Sequence, residues 1–429
     1  MELASSGIVD SLMRALVFEK RLPRLITTML LSKLSARAFL GPWAPFRERE
    51  IARPEVRSDE WVVLRTALCG ICGSDTKQVS LHGNFDNPMT SVISFPQVLG
   101  HEVVASVEDV GPAVGDLARG DRVVLNPWLS CAVRGLSDCQ WCESGDFAQC
   151  LCFREGGIAP GIHHGNSRDA TGGFAPFLPA HRSQCIPIPD GISDEAAVLA
   201  DPFSVSLHAV FRNPPPEAGV VLVHGCGTLG LAAIGLLRAL FPKLRIFAVA
   251  RFAHQATLAQ GLGADRVFAH EPSLALLEQV AEALGAGLLR SNNGLPMLNG
   301  GVDRVYDTVT SPGTLETGVR ITRSRGRIVC LGVEPPRRFE WTPLYFKEIE
   351  VVGSNAFGIE QWQGRRQHAF AWYFEMLAQG RVDLSSILTH RVPFGDWKKA
   401  FGYCLDQESS GAVKVVLDHD SNGRGVVAR

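Results

Sequence analysis

The stretch V-V-L-V-H-G-C-G-T-L-G at residues 220–230 decides the fold of this 429-residue chain. An apolar strand leads directly into a turn with three glycines, and an apolar helix follows. The first glycine allows a tight turn, the second lets a pyrophosphate approach the backbone, and the third lets helix and strand pack closely. The free N–H groups at the start of the helix would receive the negative charge. The alternative is a purely structural glycine turn. The predicted cofactor-binding residues of this turn are Gly225, Gly227, Thr228, Leu229 and Gly230.

Strands and helices alternate after this turn. Apolar strands are expected at 245–250, 302–307 and 327–331, with helical segments between them. This alternation predicts a parallel sheet covered by helices on both faces. Residues 60–191 instead show short β-rich runs separated by Gly, Pro and Asp, and a last strand is expected at 412–417. The fold class is therefore α/β, with a nucleotide-binding unit inserted into a β-rich domain built from both ends of the chain.

The residue that follows the second strand indicates the coenzyme. Twenty residues past Gly230, an NAD site would place an Asp or Glu to hold the ribose 2′-hydroxyl. This chain has Ala250 and then Arg251. A guanidinium is suited to a 2′-phosphate, so the sequence favours NADP over NAD. The alternatives are an Arg251 that only faces solvent, and NAD.

Composition excludes several classes of protein. The chain has 42 Lys+Arg against 44 Asp+Glu, a formal net charge of −2, and 46% hydrophobic residues. These are ordinary globular values, and without a basic surplus we expect a small-molecule partner and no nucleic acid. Eleven cysteines are too few for a disulfide scaffold, and their odd number fits a reduced compartment. We therefore expect a cytoplasmic protein.

The N-terminal region shows no secretory signal and no membrane anchor. The one long apolar stretch there, at 25–40, is interrupted by Lys33 and Arg37 and is shorter than the roughly 20 residues that a bilayer span needs. Its leucines recur at helical spacing, which predicts an amphipathic helix on the protein surface. We prefer core packing to a membrane contact for this helix and expect no membrane partner.

Four cysteines cluster in an aperiodic loop between residues 131 and 150. A C-x-x-C pair stands inside it, with one further cysteine eight residues away on each side. Four thiolates can form a tetrahedral shell around a structural zinc, which would order a loop poor in apolar residues. The alternative is a group of buried or free thiols, and Cys152 would be a spare thiol. The predicted ligands are Cys131, Cys139, Cys142 and Cys150.

A catalytic zinc needs three protein ligands and an open position. Candidates are Cys72 in G-I-C-G-S-D, His101 in L-G-H-E and Asp201 in A-D-P-F. Taken singly, each is a weak signal, and their spacing alone does not join them.

Six motifs, taken together in their order, resemble those of the zinc-dependent medium-chain dehydrogenase/reductase family. The resemblance runs from about residue 13 to residue 418 and covers zinc alcohol, sorbitol and threonine dehydrogenases. The motifs are G-I-C-G-S-D at 70–75, G-H-E at 100–102, the cysteine loop at 131–150, L-A-D-P-F-S-V at 199–205, G-C-G-T-L-G at 225–230 and L-Y-F-K-E-I-E-V-V-G-S at 344–354.

The resemblance implies a GroES-like β-rich catalytic domain into which a Rossmann domain, a doubly wound parallel sheet, is inserted. The catalytic domain would comprise residues 13–202 and 345–418, and the Rossmann domain residues 203–344. A homodimer or homotetramer is the oligomeric state that the resemblance implies.

The resemblance also implies roles for individual residues. Cys72, His101 and Asp201 match the catalytic zinc ligands, although many members have Cys or Glu where Asp201 stands. Glu102 matches an acidic residue that ligates the metal in some members during a ligand exchange, and Ser74 matches the hydroxyl that starts a proton relay. The cysteine loop matches the structural zinc loop, with Cys131 farther from its neighbour than is usual.

The implied activity is reversible hydride transfer between NADP, or alternatively NAD, and an alcohol or polyol. Two alternatives stay open. A zinc-free quinone-type reductase would lack both metal-binding sets, and a non-catalytic NADP-binding module would need only the glycine turn. We interpret His163 and His164, in a glycine-rich loop, as an exposed pair.

Overall fold

The computed structural model describes residues 12–83, 87–270, 273–334 and 338–420. Its strands are β1 Leu12–Phe18, β2 Phe46–Ala52, β3 Trp61–Gly70, β4 Gln97–Val98, β5 Glu102–Val110, β6 Arg122–Leu125, β7 Phe177–His181, β8 Cys185–Pro187, β9 Val220–His224, β10 Arg245–Ala250, β11 Arg266–Ala269, β12 Gly287–Leu289, β13 Met297–Asn299, β14 Val302–Asp307, β15 Thr322–Cys330, β16 Glu350–Gly353, β17 Ile359–Trp362, β18 Arg365–His368, β19 Leu388–Pro393 and β20 Lys414–Asp418.

The helices are short in the first part of the chain and longer in the middle. The α-helices are α1 Leu22–Ser32, α2 Gly73–Val79, α3 Gln140–Ser144, α4 Asp194–Ala197, α5 Ala200–Arg212, α6 Thr228–Leu240, α7 Ala253–Gly261, α8 Ser273–Leu284, α9 Pro312–Ile321, α10 Thr342–Phe346, α11 Ala369–Ala378, α12 Trp397–Leu405 and α13 Gln407–Ser410. Short 3₁₀ helices lie at Ala36–Leu40, Pro88–Val92, Ala132–Arg134, Phe147–Gln149, Arg182–Gln184, Ser385–Ile387 and Phe394–Asp396.

The chain forms two compact units, divided between Asp201 and Pro202 and again between Ile387 and Leu388. The first unit contains a seven-stranded sheet in the order β19-β20-β3-β5-β6-β8, with β7 paired to β3 as well. A three-stranded sheet, β2-β1-β4, adds to it. Strand β3 pairs antiparallel with both β5 and the late strand β20. The β-rich unit is therefore built from both ends of the chain, as the sequence predicts.

The second unit contains a six-stranded sheet in the order β11-β10-β9-β14-β15-β16, and every neighbouring pair in it is parallel. Numbered from β9, this is the strand order 3-2-1-4-5-6 of a doubly wound nucleotide-binding fold. Strand β9 is almost fully buried, since side chains on both faces of a parallel sheet are covered by helices. The predicted α/β fold class is confirmed.

The second boundary of the inserted unit differs from the prediction. We expected the inserted domain to end at residue 344, but the unit extends to Ile387. Strand β16 continues the parallel sheet beside β15, and residues after it pack on α5. Phe203 of α5 contacts Tyr373 of α11, with ring centroids 4.6 Å apart. Sheet pairing and aromatic packing therefore keep 345–387 with the inserted unit.

No helix within the described ranges is long and apolar enough to cross a membrane.

Candidate functional site

Strand β3 and helix α2 position Cys72. The strand ends at Gly70, and Cys72 is the N-cap of α2. The carboxylate of Asp75 accepts a hydrogen bond from the Cys72 backbone N–H at 3.0 Å, which satisfies one of the free donors at the start of the helix. The Cys72 side chain is thereby held at the carboxyl end of β3.

The sheet register brings His101 and Glu102 to the same place. Glu102 begins β5 and lies opposite Gly70 in the antiparallel pair of β3 and β5. Gly100, just before them, has a φ of +91°, and a Cβ there would lie 2.5 Å from the ring of Phe174. Only glycine fits this turn, so the glycine of the G-H-E motif is required by backbone geometry and close packing.

Two of the three predicted catalytic zinc ligands, Cys72 and His101, come together with the further metal candidate Glu102. The side-chain donor atoms of Cys72, His101 and Glu102 all lie within 4.8 Å of one another. Asp201 is outside this group of three but is close enough that its negative charge helps to raise the pKa of His101. Asp201 is buried at the start of α5, and its Oδ2 atom has no hydrogen-bond partner among the described residues.

Buried negative charge dominates the electrostatics of this group. Burial raises the pKa of Asp201 to about 7, partly offset by the charge of His101. Burial also raises the pKa of Asp75. For His101, burial opposes the charged form, but the charges of Cys72 and Asp75 raise its pKa well above the usual value. A divalent cation would stabilise the charged carboxylate and thiolate forms.

Zinc binds sulfur, imidazole nitrogen and carboxylate oxygen as ligand atoms, and one zinc ion can have all three kinds of ligand. The unpartnered Oδ2 of Asp201 and the close donor atoms of Cys72 and His101 fit a zinc ion. Within the described ranges the Nδ1 atom of His101 has no hydrogen-bond partner, and it lies 3.9 Å from an oxygen of Asp75. Asp75 is therefore the acid nearest to this histidine, where it can orient the ring.

Lys414 is a site residue that sequence reasoning missed. Its ammonium group forms an ion pair with the Glu102 carboxylate, and both side chains are buried. The same group donates to the Ile71 carbonyl oxygen at 3.2 Å. The sequence signal that could have found it is a single lysine at the start of the apolar run K-V-V-L. A lysine in a buried strand indicates an acidic partner, because lysines are almost never fully buried unless they are paired. Glu102 thus has a protein cation as its partner.

His163 and His164 do not form an exposed loop pair, and that interpretation was wrong. His164 is fully buried and lies within hydrogen-bond distance of the Thr171 carbonyl oxygen and of Gln184. The His163 ring lies against His101, with centroids 4.7 Å apart. Its Nδ1 lies 2.6 Å from the His164 carbonyl oxygen, which can only accept a hydrogen bond. Nδ1 therefore carries a proton, and because burial lowers the pKa of His163 to about 3, the ring is neutral near pH 7 and its Nε2 atom is an acceptor.

Ser74 is exposed in the first turn of α2, two residues after Cys72. A hydroxyl at this position can exchange a proton with solvent.

The four predicted structural ligands also come together. The sulfur atoms of Cys131, Cys139, Cys142 and Cys150 lie within 4.8 Å of one another, and Cys152 is outside the group. The Cys131 and Cys150 sulfurs are 3.6 Å apart, near the roughly 3.8 Å that tetrahedral Zn–S bonds of about 2.3 Å require. The backbone N–H groups of Cys139 and Cys152 donate to two of the sulfurs. Amide donors of this kind stabilise thiolates.

The thiol pKa values of the cysteines in this loop differ strongly from one another. Burial raises the pKa of Cys131 to about 12, whereas a hydrogen bond from Cys142 lowers the pKa of Cys150 to about 5. The four groups therefore compete for protons. Zinc would bind with release of the remaining protons, because its ligand is the thiolate.

The glycine turn has the geometry that a dinucleotide site needs. Gly225 has a φ of +92°, and a Cβ on Gly230 would lie 1.8 Å from the Gly225 carbonyl oxygen. By contrast, no described atom lies within 4 Å of a Cβ on Gly227, which is the N-cap of α6. Backbone geometry and packing thus explain Gly225 and Gly230, while Gly227 faces open space. This open space fits a pyrophosphate at the N-terminus of α6, where Thr228 and Leu229 begin the helix.

Arg251 lies directly after the carboxyl end of β10. It is exposed, and its guanidinium lies 5.1 Å from the ring centroid of Phe252. Among the described residues it has no hydrogen-bond or ion-pair partner. Ala250, where an NAD site would place a carboxylate, is buried. The guanidinium is therefore available to a ligand at this edge of the sheet.

Two family models match the chain. The alcohol dehydrogenase GroES-like domain matches residues 58–190, and the zinc-binding dehydrogenase model matches residues 228–371. An L-idonate 5-dehydrogenase of Vitis vinifera is 26% identical over 359 residues, which cover 83% of this chain and 87% of that protein.

Two solved structures share the fold. A short chain alcohol dehydrogenase of Escherichia coli CFT073 complexed with NADH has a TM-score of 0.70 at 21% identity, covering 95% of this chain and 99% of that one. A structure from Sinorhizobium meliloti 1021 bound to NADP has a TM-score of 0.69 at 23% identity, with the same coverage.

Proposed function

Because the chain belongs to the zinc-dependent medium-chain dehydrogenase/reductase family, we propose that it transfers a hydride between an alcohol or polyol and NADP at the Cys72–His101 site. Its class, a zinc-dependent NAD(P) alcohol dehydrogenase, follows from that membership. The choice of NADP, the residue roles and the two separate zinc sites are the finer parts of the proposal. The observation that carries it is the convergence of the Cys72 sulfur and the His101 imidazole within 4.8 Å, with the buried Asp201 carboxylate near enough for its charge to help raise the pKa of His101.

A zinc ion held here would supply Lewis-acid chemistry that lowers the pKa of the substrate hydroxyl, and bound NADP would supply the hydride acceptor. Cys72, His101 and Asp201 would hold the metal. Ser74 accepts the hydroxyl proton and passes it to solvent, since its side chain is exposed. Lys414 pairs with Glu102, so this carboxylate would be available to a metal only if the ion pair were broken. The four cysteines of the 131–150 loop would hold a second, structural zinc.

A coenzyme-reduction screen tests this function. Polyols, sugar acids, diols and simple alcohols are each supplied with NADP and with NAD, and absorbance of the reduced coenzyme is followed. We expect turnover with at least one alcohol and a lower KM for NADP than for NAD. Metal analysis tests the first alternative, because a zinc-free quinone-type reductase would hold no zinc. The screen itself tests the second, because a non-catalytic NADP-binding module would show no turnover.

Replacing Arg251 by Ala is expected to raise the Kd for NADP by about tenfold or more and to leave the Kd for NAD nearly unchanged. A charge-assisted hydrogen bond to the 2′-phosphate contributes about 1.5–3 kcal/mol, and NAD lacks that group. Titration with both coenzymes measures this. Arg266→Ala is the matched control, because Arg266 also lies 5.1 Å from a phenylalanine ring but begins its strand. Equal losses for both coenzymes would remove Arg251 from the proposal.

Replacing Cys142 by Ser is expected to lower the zinc content from about two ions to about one per chain. The loop would lose a metal that contributes to its folding, so the Tm should fall as well. Zinc analysis and a thermal melt measure both effects. Cys152→Ser, a change to the thiol outside the cluster, should retain both ions. A Cys142→Ser protein with unchanged zinc content would contradict the structural site.

We also propose a homodimer or homotetramer in the cytoplasm. None of the eleven cysteines, all of which lie within the described residues, forms a disulfide, which favours a reduced compartment. Sedimentation velocity of the full chain measures the oligomeric state.

A further inference from the structure

Strands β1 and β2 are joined by an unusually long segment. They pair antiparallel down to Phe18 opposite Phe46, a geometry that a turn of about two to five residues can close. Instead, the chain from Lys20 to Pro45, here called the 20–45 segment, forms helix α1, a 3₁₀ turn and a return loop. This insertion belongs to neither predicted site.

Helix α1 presents its apolar face outward. Leu22, Ile26 and Leu30 are 67%, 49% and 59% exposed, and Met29 shares their face at the spacing i, i+4, i+7, i+8. The opposite face carries the buried Thr28. In an ordinary surface helix the apolar stripe faces the core, so this orientation is inverted.

The segment is anchored in this orientation. The Thr28 hydroxyl donates to the Trp43 carbonyl oxygen at 3.2 Å, and the Arg24 guanidinium donates to the carbonyl oxygens of Pro42 and Ala44 at 3.0 and 3.3 Å. Leu25 packs against the core of the first unit. These hydrogen bonds and the packing of Leu25 fix the orientation of the helix, and its apolar face is left exposed to solvent. Leu34 and Trp43, 86% and 58% exposed, add further apolar surface.

All charged residues of the 20–45 segment are basic. It contains Lys20, Arg21, Arg24, Lys33 and Arg37 and no Asp or Glu. Lys33 follows Leu30 by three positions and therefore lies on the apolar face. Its long stem can lie along that face while its ammonium group reaches outward.

We propose that the 20–45 segment binds the surface of an anionic lipid membrane. An exposed apolar helix face flanked by basic residues is the pattern of an interfacial helix, with apolar side chains among the acyl chains and cations at the headgroups. A second copy of this chain is the other candidate occupant. A two-fold interface would place the same patch on both subunits and bring two basic segments together, each with the cations of Lys20, Lys33 and Arg37 in addition to Arg21, which is paired with Glu19. The charge pattern therefore favours anionic lipid, and a peripheral contact needs no spanning helix.

Cosedimentation of the full chain with lipid vesicles tests this. We expect binding to phosphatidylcholine vesicles that contain phosphatidylserine to be at least about tenfold stronger than binding to phosphatidylcholine alone, and to weaken with salt. Ile26→Ser with Leu30→Ser should reduce this binding at least about tenfold and leave dehydrogenase activity unchanged. Lys33→Gln with Arg37→Gln should abolish the preference for phosphatidylserine.

Leu274→Ser with Leu289→Ser is the matched control, because these two leucines are similarly exposed on the second unit and should not affect vesicle binding. Wild-type protein that fails to sediment with phosphatidylserine vesicles would overturn the proposal. So would undiminished binding by the Ile26→Ser, Leu30→Ser protein. A wild-type dimer that this variant converts to monomer, without vesicle binding, would assign the face to a second copy and also overturn it.

Discussion

The Cys72→Ser protein is expected to lose at least about a thousandfold in kcat/KM with NADP and its alcohol substrate. Lewis-acid stabilisation is worth several kcal/mol, and each 1.36 kcal/mol is a factor of ten in rate. Serine removes the thiolate whose donor atom lies within 4.8 Å of those of His101 and Glu102. The His101→Ala protein should behave in the same way. Steady-state kinetics and zinc analysis give the two measurements, and we expect about one zinc lost per chain.

Binding of NADP should persist in both variants, because the glycine turn lies in the other compact unit. Cys185→Ser is a suitable control, since Cys185 is another buried thiol of the first unit and is absent from both cysteine-containing metal groups. Its activity should stay near that of the wild type. If the Cys72→Ser protein kept full turnover, the catalytic role of this site would have to be abandoned.

The Lys414→Met protein is expected to have a free energy of unfolding lower by about 3–5 kcal/mol. The change leaves the Glu102 carboxylate buried without its cation, and this is the costly way to break a buried ion pair. Denaturant unfolding measures the loss. The Lys243→Met protein, altered at an exposed lysine of the second unit, should unfold like the wild type.

Replacing both partners distinguishes charge from packing. In the Lys414→Met, Glu102→Gln protein no uncompensated charge is buried, so much of the lost stability should return. A double variant as unstable as Lys414→Met would mean that the lysine acts through its packing. Zinc content should be measured in parallel, because an unpaired Glu102 is free to join the metal.

Much of the fold could be predicted from the sequence because its signals are local. The apolar run at 245–250 is the observed strand β10, since a buried parallel strand needs apolar side chains on both faces. The end of the inserted unit could not be predicted in this way. It depends on long-range events, such as the addition of β16 to the sheet and the contact between Phe203 and Tyr373.

The candidate sites show the same division between local and long-range signals. The cysteine loop could be predicted because its four residues are close in sequence. By contrast, Cys72, His101 and Asp201 are joined only by a resemblance, and the register of β3 and β5 explains why the first two meet. Lys414 was missed because its partner belongs to a distant strand. The apolar leucines of α1 predicted a surface helix correctly, but the expectation that its apolar face packs on the core was wrong, because periodicity does not tell which way an apolar stripe faces.

The pairing of β20 with β3 has a consequence for biosynthesis. Strand β3 leaves the ribosome early, but its neighbour β20 follows only after the whole inserted unit has been translated. Until then residues 68–70 of β3 lack their β20 partner in the nascent chain, although residues 61–65 on the same edge can already pair with β7, and Glu102 lacks Lys414 as its counter-ion. The first unit therefore completes its folding at the very end of translation. A truncated product would expose unpaired backbone N–H and C=O groups of the sheet to chaperones and proteases.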